Sequence, residues 1–466
     1  MTGYEHYTRL PNQSGKPSPI NDMATQVSPP LYQALLDEFD ESFPGALDAE
    51  PEFLVRTRQQ AMARFRAAGF PTTRAEDWKY TNMTPFLQER YEANGRAVDL
   101  AVSLLASATI PGLDCYQVVL LNGQYQAAPG TSLPAFVKIR PLAEAWQEPA
   151  LRDVFGRQAD VTRHPFVALN TAMFRGGLLI EIAADVHLDK PLHLVHAYAG
   201  AGNRLVQPRH LVVAGRNADL SLIESVVADS GDTRILVNGV TEIALAANAR
   251  LQHYTLQTAK KGLLHLQHTE VCQQRDSVYS SYTFSLPGAE LLRNNLHVDL
   301  AGENTESHLY GFYLAAAHQL IDNHTLMNHR MPHCASNEIY KGVLLDTAVG
   351  VFNGKVFVQP DAQKTNAFQQ NNNLLLSPKA VIYSKPQLEI YADDVKCSHG
   401  STTGQLNPEA MFYLRSRGIS EDTARALLVQ AFAFDVTEQV KIPKLKGHIN
   451  QLINYHLPVK QEMVKA

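Results

Sequence analysis

Only four cysteines occur in 466 residues, at Cys115, Cys272, Cys334 and Cys397, and no two stand in a CxxC pair. So sparse a set excludes a disulfide framework and points to a reducing compartment. Charge of one sign is lacking too: the net charge is −5 and the pI near 6.4. That balance provides no broad basic surface for nucleic acid or an anionic membrane. No apolar run approaches the roughly 18 residues of a membrane span. Residues 1–30 are polar and proline-containing, without the apolar stretch of a secretory signal, so the chain is expected in the cytoplasm. The same segment reads as a disordered extension, with Met23 as the expected native start.

Familiar catalytic motifs are missing as well. The nearest approach to a Walker A loop, residues 350–356 (GVFNGKV), has one spacer too few and ends in Val. Residues 200–205 (GAGNRL) lack the final glycine of a dinucleotide fingerprint. Neither a GxSxG elbow nor an HExxH pair occurs. The chain by itself carries no recognisable catalytic apparatus.

What is present begins with helices. Residues 31–39 form a short helical pattern. Residues 52–68 form a better one, with Leu54, Ala61, Met62, Phe65 and Ala68 on one stripe and Gly69 as its stop. From about Cys115 to Thr403 helical signals are almost absent, and short β-branched runs alternate with Gly, Asn and Asp. A faint corner motif recurs at Asn217, Asn248, Asn304 and Asn337, in steps of 31, 56 and 33 residues. Read as one, two and one rungs, these steps imply a period of about 28–33 residues, within the solenoid range. Asparagine suits tight left-handed corners. A β-helix is the better reading, with a sandwich or jelly roll as the alternative. The end is helical again: Asn407-Pro408-Glu409 is an N-cap, a proline and a first-turn acid, and Arg415, Arg417 and Gly418 make a stop. Ser420 opens a second helix with Ala424, Leu427, Leu428, Ala431 and Phe432 along one stripe, and a last helix spans 444–455. The expected organisation is a disordered extension (1–30), an N-terminal helical domain (31–110), a β-helix core (111–404) and a C-terminal helical domain (405–466).

Three constellations bear on chemistry. In residues 393–399 (DDVKCSH), Cys397 and His399 share a face if the segment is extended. A thiolate beside an imidazole suits zinc, copper or an iron–sulfur species, and a cation such as Lys396 or His399 would lower the thiol pKa. The plainer reading is a small cysteine and a surface histidine at a strand end. Upstream, His308, His318, His324, His329 and His333 read either as a metal site or as half-buried solenoid histidines bonded to backbone corners. Finally, Phe412, Tyr413, Phe432 and Phe434 make the C-terminal helices more aromatic than self-packing requires. Those helices either receive a partner or cap the open end of the solenoid.

Residues 407–419 (NPEAMFYLRSRGI), preceded by 397–404 (CSHGSTTG), closely resemble the C-terminal signature of the SufD branch of the SufB/SufD family. Supporting matches lie at 71–81 (PTTRAEDWKYT), 166–174 (FVALNTAMF), 333–345 (HCASNEIYKGVLL) and 352–370, so the resemblance spans roughly residues 50–450. It implies a right-handed parallel β-helix flanked by N- and C-terminal helical domains. It also implies a scaffold subunit that builds nascent iron–sulfur clusters without turnover of its own. The implied partners are a SufB homologue, met through the β-helix, and a SufC ABC-type ATPase that binds the ATP. Carried over by position, Cys397 and His399 match residues at the SufB interface, where the transient cluster forms. Residues 408–434 match the ATPase-docking region, which contains Pro408, Phe412, Tyr413, Arg415, Arg417, Gly418 and Phe432. Reduced flavin is linked to the family complex, though no flavin motif is visible here, and the isolated subunit is a candidate homodimer. The SufB pattern has His-Glu where this chain has His399-Gly400. The competing readings are a β-helix carbohydrate-active enzyme with a carboxylate-lined groove, and a metal-binding protein using His308–His333.

Overall fold

The computed structural model describes residues 28–457 except 48–49, 93–98, 127–132, 149–150, 152–153 and 230. The expected extension and Met23 therefore lie essentially outside the described residues. The chain divides into two compact units, residues 1–90 with 144–173, and residues 91–143 with 174–466.

The first unit is helical. Its first helix runs Pro30–Leu47, beyond the expected end at Phe39. The second spans Glu52–Ala68 as expected and buries Leu54, Ala61, Met62 and Phe65. Arg58 is buried on the same helix, held by Glu50 at 2.8 Å and by the Ala172 carbonyl at 3.1 Å. Gly69 ends the helix at φ +65°, where a side chain would be strained. A further helix, Pro165–Met173, lies inside the stretch expected to be nearly free of helix. Every residue from Phe166 to Met173 is buried, so no polar face exists to give the 3.6-residue rhythm. Phe166 packs on Trp78 with ring centroids 5.1 Å apart.

The second unit is a parallel β-solenoid of about eight turns. Each turn gives one strand to each of two ten-stranded sheets. In the first sheet Asp219–Asp229, Arg250–Gln257, Val278–Ser285, Glu306–Ala315, Ala335–Leu344, Asn366–Leu375 and Lys396–Gly404 stack in register. The second sheet ends with Leu291–Leu300, Leu320–His329, Val349–Val358 and Val381–Ile390. Inward positions fill the interior with Leu220, Leu251, Val298, Leu300, Phe352 and Val358, layer upon layer. A single rung cannot bury these side chains; its neighbours do so.

Corners enforce the stacking. Asp185, Asn217, Asn248, Asp276, Asn304, His333 and Lys364 all sit at positive φ between 57° and 61°. Each donates its backbone N–H one rung onward, as in Asn248 to the Arg275 carbonyl (2.8 Å) and Lys364 to the Asp394 carbonyl (2.7 Å). Asn248 also donates from its side chain to Asn217 Oδ1 at 2.7 Å. The expected corners at Asn217, Asn248 and Asn304 are correct. The rung missing between the last two has Asp276 as its corner, and the expected Asn337 lies within strand Ala335–Leu344. That corner is His333, a residue type that does not signal left-handed backbone as strongly as Asn.

Three helices close the chain. Asn407 caps Pro408–Ser416 by accepting from Glu409 N (2.8 Å) and Ala410 N (3.2 Å), and Gly418 follows at φ +85°. Ser420 caps Glu421–Thr437, and Pro443–His456 ends the series. They do not cap the solenoid end. Val429, Ala433, Val436, Leu445, Ile449 and Ile453 pack flat on the outer face of the first sheet, against Tyr254, Tyr282, Tyr310, Phe312 and Val343. Glu421–Thr437 buries Ala424, as expected, together with Ala426, Val429, Ala433 and Val436 in place of the rest of the expected stripe, and Leu427 is exposed.

Candidate functional site

Both sheets stop abruptly. Among the described residues Lys396–Gly404 and Val381–Ile390 each pair with a strand on one side only, leaving about half of their backbone hydrogen-bonding groups without a sheet neighbour. Cys397 follows Val395 into the core and is half-buried, whereas His399 is exposed. Two residues apart on one strand, they share a face as expected.

Cys397 and His399 stand in register with the inward-facing Ala367 and Gln369. Below His399 that column continues through Gln369, which donates to Glu338 Oε2 at 2.7 Å. Burial pushes the Glu338 carboxyl up to about 7. Beside it a polar lattice replaces the apolar core. Ser384 donates to Asn371 Oδ1 (2.7 Å) and meets Ser401 Oγ (2.8 Å), and Asn373 donates to Asn371 Oδ1 (2.7 Å). Tyr313 hydroxyl also bonds Asn373. Strand Lys396–Gly404 thus carries polar side chains inward beyond Cys397, while Ile382 and Leu388 of Val381–Ile390 still pack on the apolar core.

The thiol is not activated in the way the sequence suggests. Burial pushes the Cys397 pKa up, partly offset by a hydrogen bond from the Ala367 backbone. Lys396 precedes it in the strand and points to the opposite face. In this chain the group is poised as a neutral thiol, and any thiolate character would have to come from something added at the last rung.

The expected docking residues divide. Pro408, Arg415, Arg417 and Gly418 are exposed, Phe412 is 75% exposed and Tyr413 58%, and helix Pro408–Ser416 buries none of its residues. Arg417 lies over the Tyr413 ring at 5.3 Å. Phe434, near the end of helix Glu421–Thr437, is exposed too. Phe432 belongs elsewhere: its ring covers Lys341 Nζ at 4.5 Å, and its carbonyl accepts from the same ammonium at 3.0 Å. It anchors the helix to the solenoid wall.

The upstream histidines do not converge. His329 bonds Ser336 Oγ at 2.9 Å in the interior, and His324 meets Asp322 at 2.9 Å on the outer face. His318 pairs with Thr347, His308 lies 3.6 Å from Glu306, and His333 is a corner. Sequence reasoning missed a different set. Inside the solenoid, Glu224 accepts from His196 Nε2 and His253 Nε2, both at 2.6 Å, and Tyr279 hydroxyl lies 3.0 Å from His253 Nδ1. Burial pushes the Glu224 carboxyl up, but these hydrogen bonds hold it well below the usual carboxylate range. On the outer face of the second sheet His268, Glu270 and His297 gather. The two-residue spacing His268–Glu270 was the visible signal; the third member comes from the next rung. Carboxylates of that face are engaged, Glu242 by Arg209 at 2.5 Å and Asp299 by Arg330 at 2.7 Å, which leaves them unlike the groove of a carbohydrate-active enzyme.

Comparison with known proteins agrees with this architecture. Residues 196–432 match the family described as SUF system FeS cluster assembly, SufBD core domain, and residues 32–194 match the SufBD protein N-terminal region. An iron–sulfur cluster assembly SufBD family protein of Synechocystis is 33% identical over 417 residues, covering 87% of this chain and 91% of that protein. The iron–sulfur cluster assembly protein SufD of Escherichia coli is 30% identical over 403 residues, covering 86% and 92% respectively.

Proposed function

The chain belongs to the SufBD family, and from that premise we propose that it is a scaffold subunit for iron–sulfur cluster assembly with no turnover of its own. It works within a SUF complex. Its open last rung receives a SufB-type homologue by strand addition, and Cys397 and His399 offer the nascent cluster a thiol and an imidazole at that seam. Cluster iron and sulfide are cargo here, held in transit. A SufC-type ATPase binds the exposed Phe412, Tyr413, Arg415 and Arg417 of the C-terminal helices and supplies the ATP site this chain lacks. The cytoplasm is the proposed compartment; no described helix is long and apolar enough to cross a membrane.

The observation that carries this reading is a last rung with no further strand on it among the described residues and with Cys397 half-buried on its inner face. A solenoid normally requires an end cap, and here the C-terminal helices lie along the flank instead. Tagged chain pulled down from its native host, at low and moderate salt, tests the proposal. Co-purification of SufB and SufC homologues is expected. Recovery of this chain alone would return the solenoid-enzyme and metal-binding readings. Within a recovered complex, Cys397→Ala with His399→Ala should lower cluster yield and leave assembly intact; a wild-type yield would remove both residues from the site.

A further inference from the structure

The histidine–glutamate group on the outer face of the second sheet has a geometry different from every other ion pair described above. His268 and Glu270 lie two residues apart on strand Leu263–Gln273 and so share a face. His297, on strand Leu291–Leu300, is the register partner of Glu270. His268 Nε2 lies 2.7 Å and His297 Nδ1 3.0 Å from the same carboxylate oxygen, Glu270 Oε1. Their ligand atoms all fall within 4.8 Å of one another. At Glu224, by contrast, His196 and His253 take different oxygens, Oε2 and Oε1, and straddle the carboxylate. His324 faces an aspartate already bonded to Arg293.

Two imidazoles aimed at one carboxylate oxygen converge on a point. First-row divalent cations bind imidazole nitrogen and carboxylate oxygen at about 2.0–2.2 Å, so neighbouring ligand atoms on one ion stand roughly 3 Å apart. The observed 2.7 and 3.0 Å separations are already of that size. The three side chains are only 6–16% exposed, and adjacent strands of the sheet fix their backbones. Two nitrogens and one oxygen suit a borderline cation such as Fe(II), Co(II) or Zn(II), and leave positions for further ligands.

We propose that His268, Glu270 and His297 form a divalent first-row metal site. It is separate from Cys397 and His399, which lie on the last rung, and it uses no cysteine. The sheet supplies the preorganisation: the ion replaces the hydrogen bonds that now link the three side chains, and the strands keep their places.

Full-length chain, stripped with a chelator and kept anaerobic, is titrated with Co(II) as the probe. Visible absorption and calorimetry report binding. One equivalent is expected, displaced by Fe(II) or Zn(II). Glu270→Gln, close in shape to the native side chain, should weaken binding at least about tenfold, as should His297→Gln at the rim of the group. Cys397→Ala with His399→Ala should leave the affinity unchanged. Circular dichroism of each variant shows that the solenoid is intact, and having two variants allows the test to proceed if one of them does not fold. No stoichiometric binding, an affinity unchanged in folded Glu270→Gln or His297→Gln, or loss of the site in the Cys397 variant would each overturn the proposal. In those cases the group is a structural hydrogen-bond network.

Discussion

Strands Ile235–Leu245 and Lys396–Gly404 belong to the same solenoid and are both laid down parallel to their neighbours, yet they differ completely in what surrounds them. Every residue of the first is buried. In the second only Cys397 is even half-buried. The first has a paired strand on each side and the second on one side only. Their inward positions follow suit: Val237, Ile243 and Leu245 in the middle, Cys397, His399, Ser401 and Thr403 at the end. An apolar inner face at an open end would be an aggregation hazard. Polar side chains on Lys396–Gly404 lessen that hazard while leaving the strand's outer edge without a sheet neighbour among the described residues.

The largest contrast should appear in thiol chemistry. Cys272 and Cys334 are buried in inner rungs, and burial pushes the Cys272 thiol up to about 12. Labelling either requires local opening, whereas Cys397 needs none. A maleimide should therefore modify Cys397 on the order of 10³ times faster than the two buried thiols, with half-buried Cys115 as an internal reference. Because the Cys397 pKa is raised, its rate should keep climbing as pH passes 9. A seated SufB-type partner should suppress it. Equal rates at all four cysteines would mean that the inner rungs open as readily as the last.

Packing should show the same gradient. Leu300 is fully buried inside an inner rung, and Leu388 is only partly buried in the final one. Leu300→Ala leaves a cavity among fixed neighbours and should cost about 2–5 kcal/mol. Leu388→Ala opens onto solvent and should cost less than about 1 kcal/mol, measured by chemical denaturation. Comparable losses would show that the last rung is as tightly packed as the middle.

Much of this architecture was legible. The period, three of the corners, the caps at Asn407 and Ser420 and the shared face of Cys397 and His399 follow from local rules that a sequence displays directly. Helix Pro165–Met173 did not, because an element buried on all sides has no amphipathic rhythm. Nor did the placement of the last three helices. A sequence shows that a helix has an apolar face, but not whether that face lies on the end or the flank of a solenoid. Glu224 with His196 and His253, and Glu270 with His297, join residues 27–29 positions apart. Only the rung register brings them together, and a period read from corners that skip Asp276 is too coarse to pair single residues.

Glu338 sharpens the comparison in a pH-dependent way, since it lies two strands inside the open edge on the His399 column. Its carboxyl titrates near 7 in the folded chain against 4.5 in the unfolded. The folded state thus holds a proton that the unfolded state releases between those values. Stability is full below about 4.5, falls as pH rises towards 7, and stays reduced above it. Glu338→Gln removes the titration and still accepts from Gln369. It should stabilise the chain by on the order of 3 kcal/mol at pH 8 and hardly at all at pH 4.5. A gain independent of pH would mean that Glu338 is ionised throughout.

The smallest effect concerns the corners. Most inner rungs turn on Asn or Asp and one on His333, but the last described corner of that series is Lys364, at φ +61°. A left-handed backbone costs an ordinary residue about 1–2 kcal/mol, and asparagine less. What Lys364 gains in return is an ion pair with Asp394, both side chains more than half exposed, and such pairs contribute little. Its backbone bond to the Asp394 carbonyl is indifferent to the side chain. Lys364→Asn should therefore raise stability by roughly 0.5–1 kcal/mol, with no dependence on salt beyond that of the parent. Asn248→Ala, at an inner corner, should lose about as much. If Lys364→Asn destabilises instead, and the loss vanishes at high salt, the final rung is held by its ion pair where the inner rungs are held by backbone geometry. The open end would then be a part of the solenoid whose order a change in ionic strength can loosen.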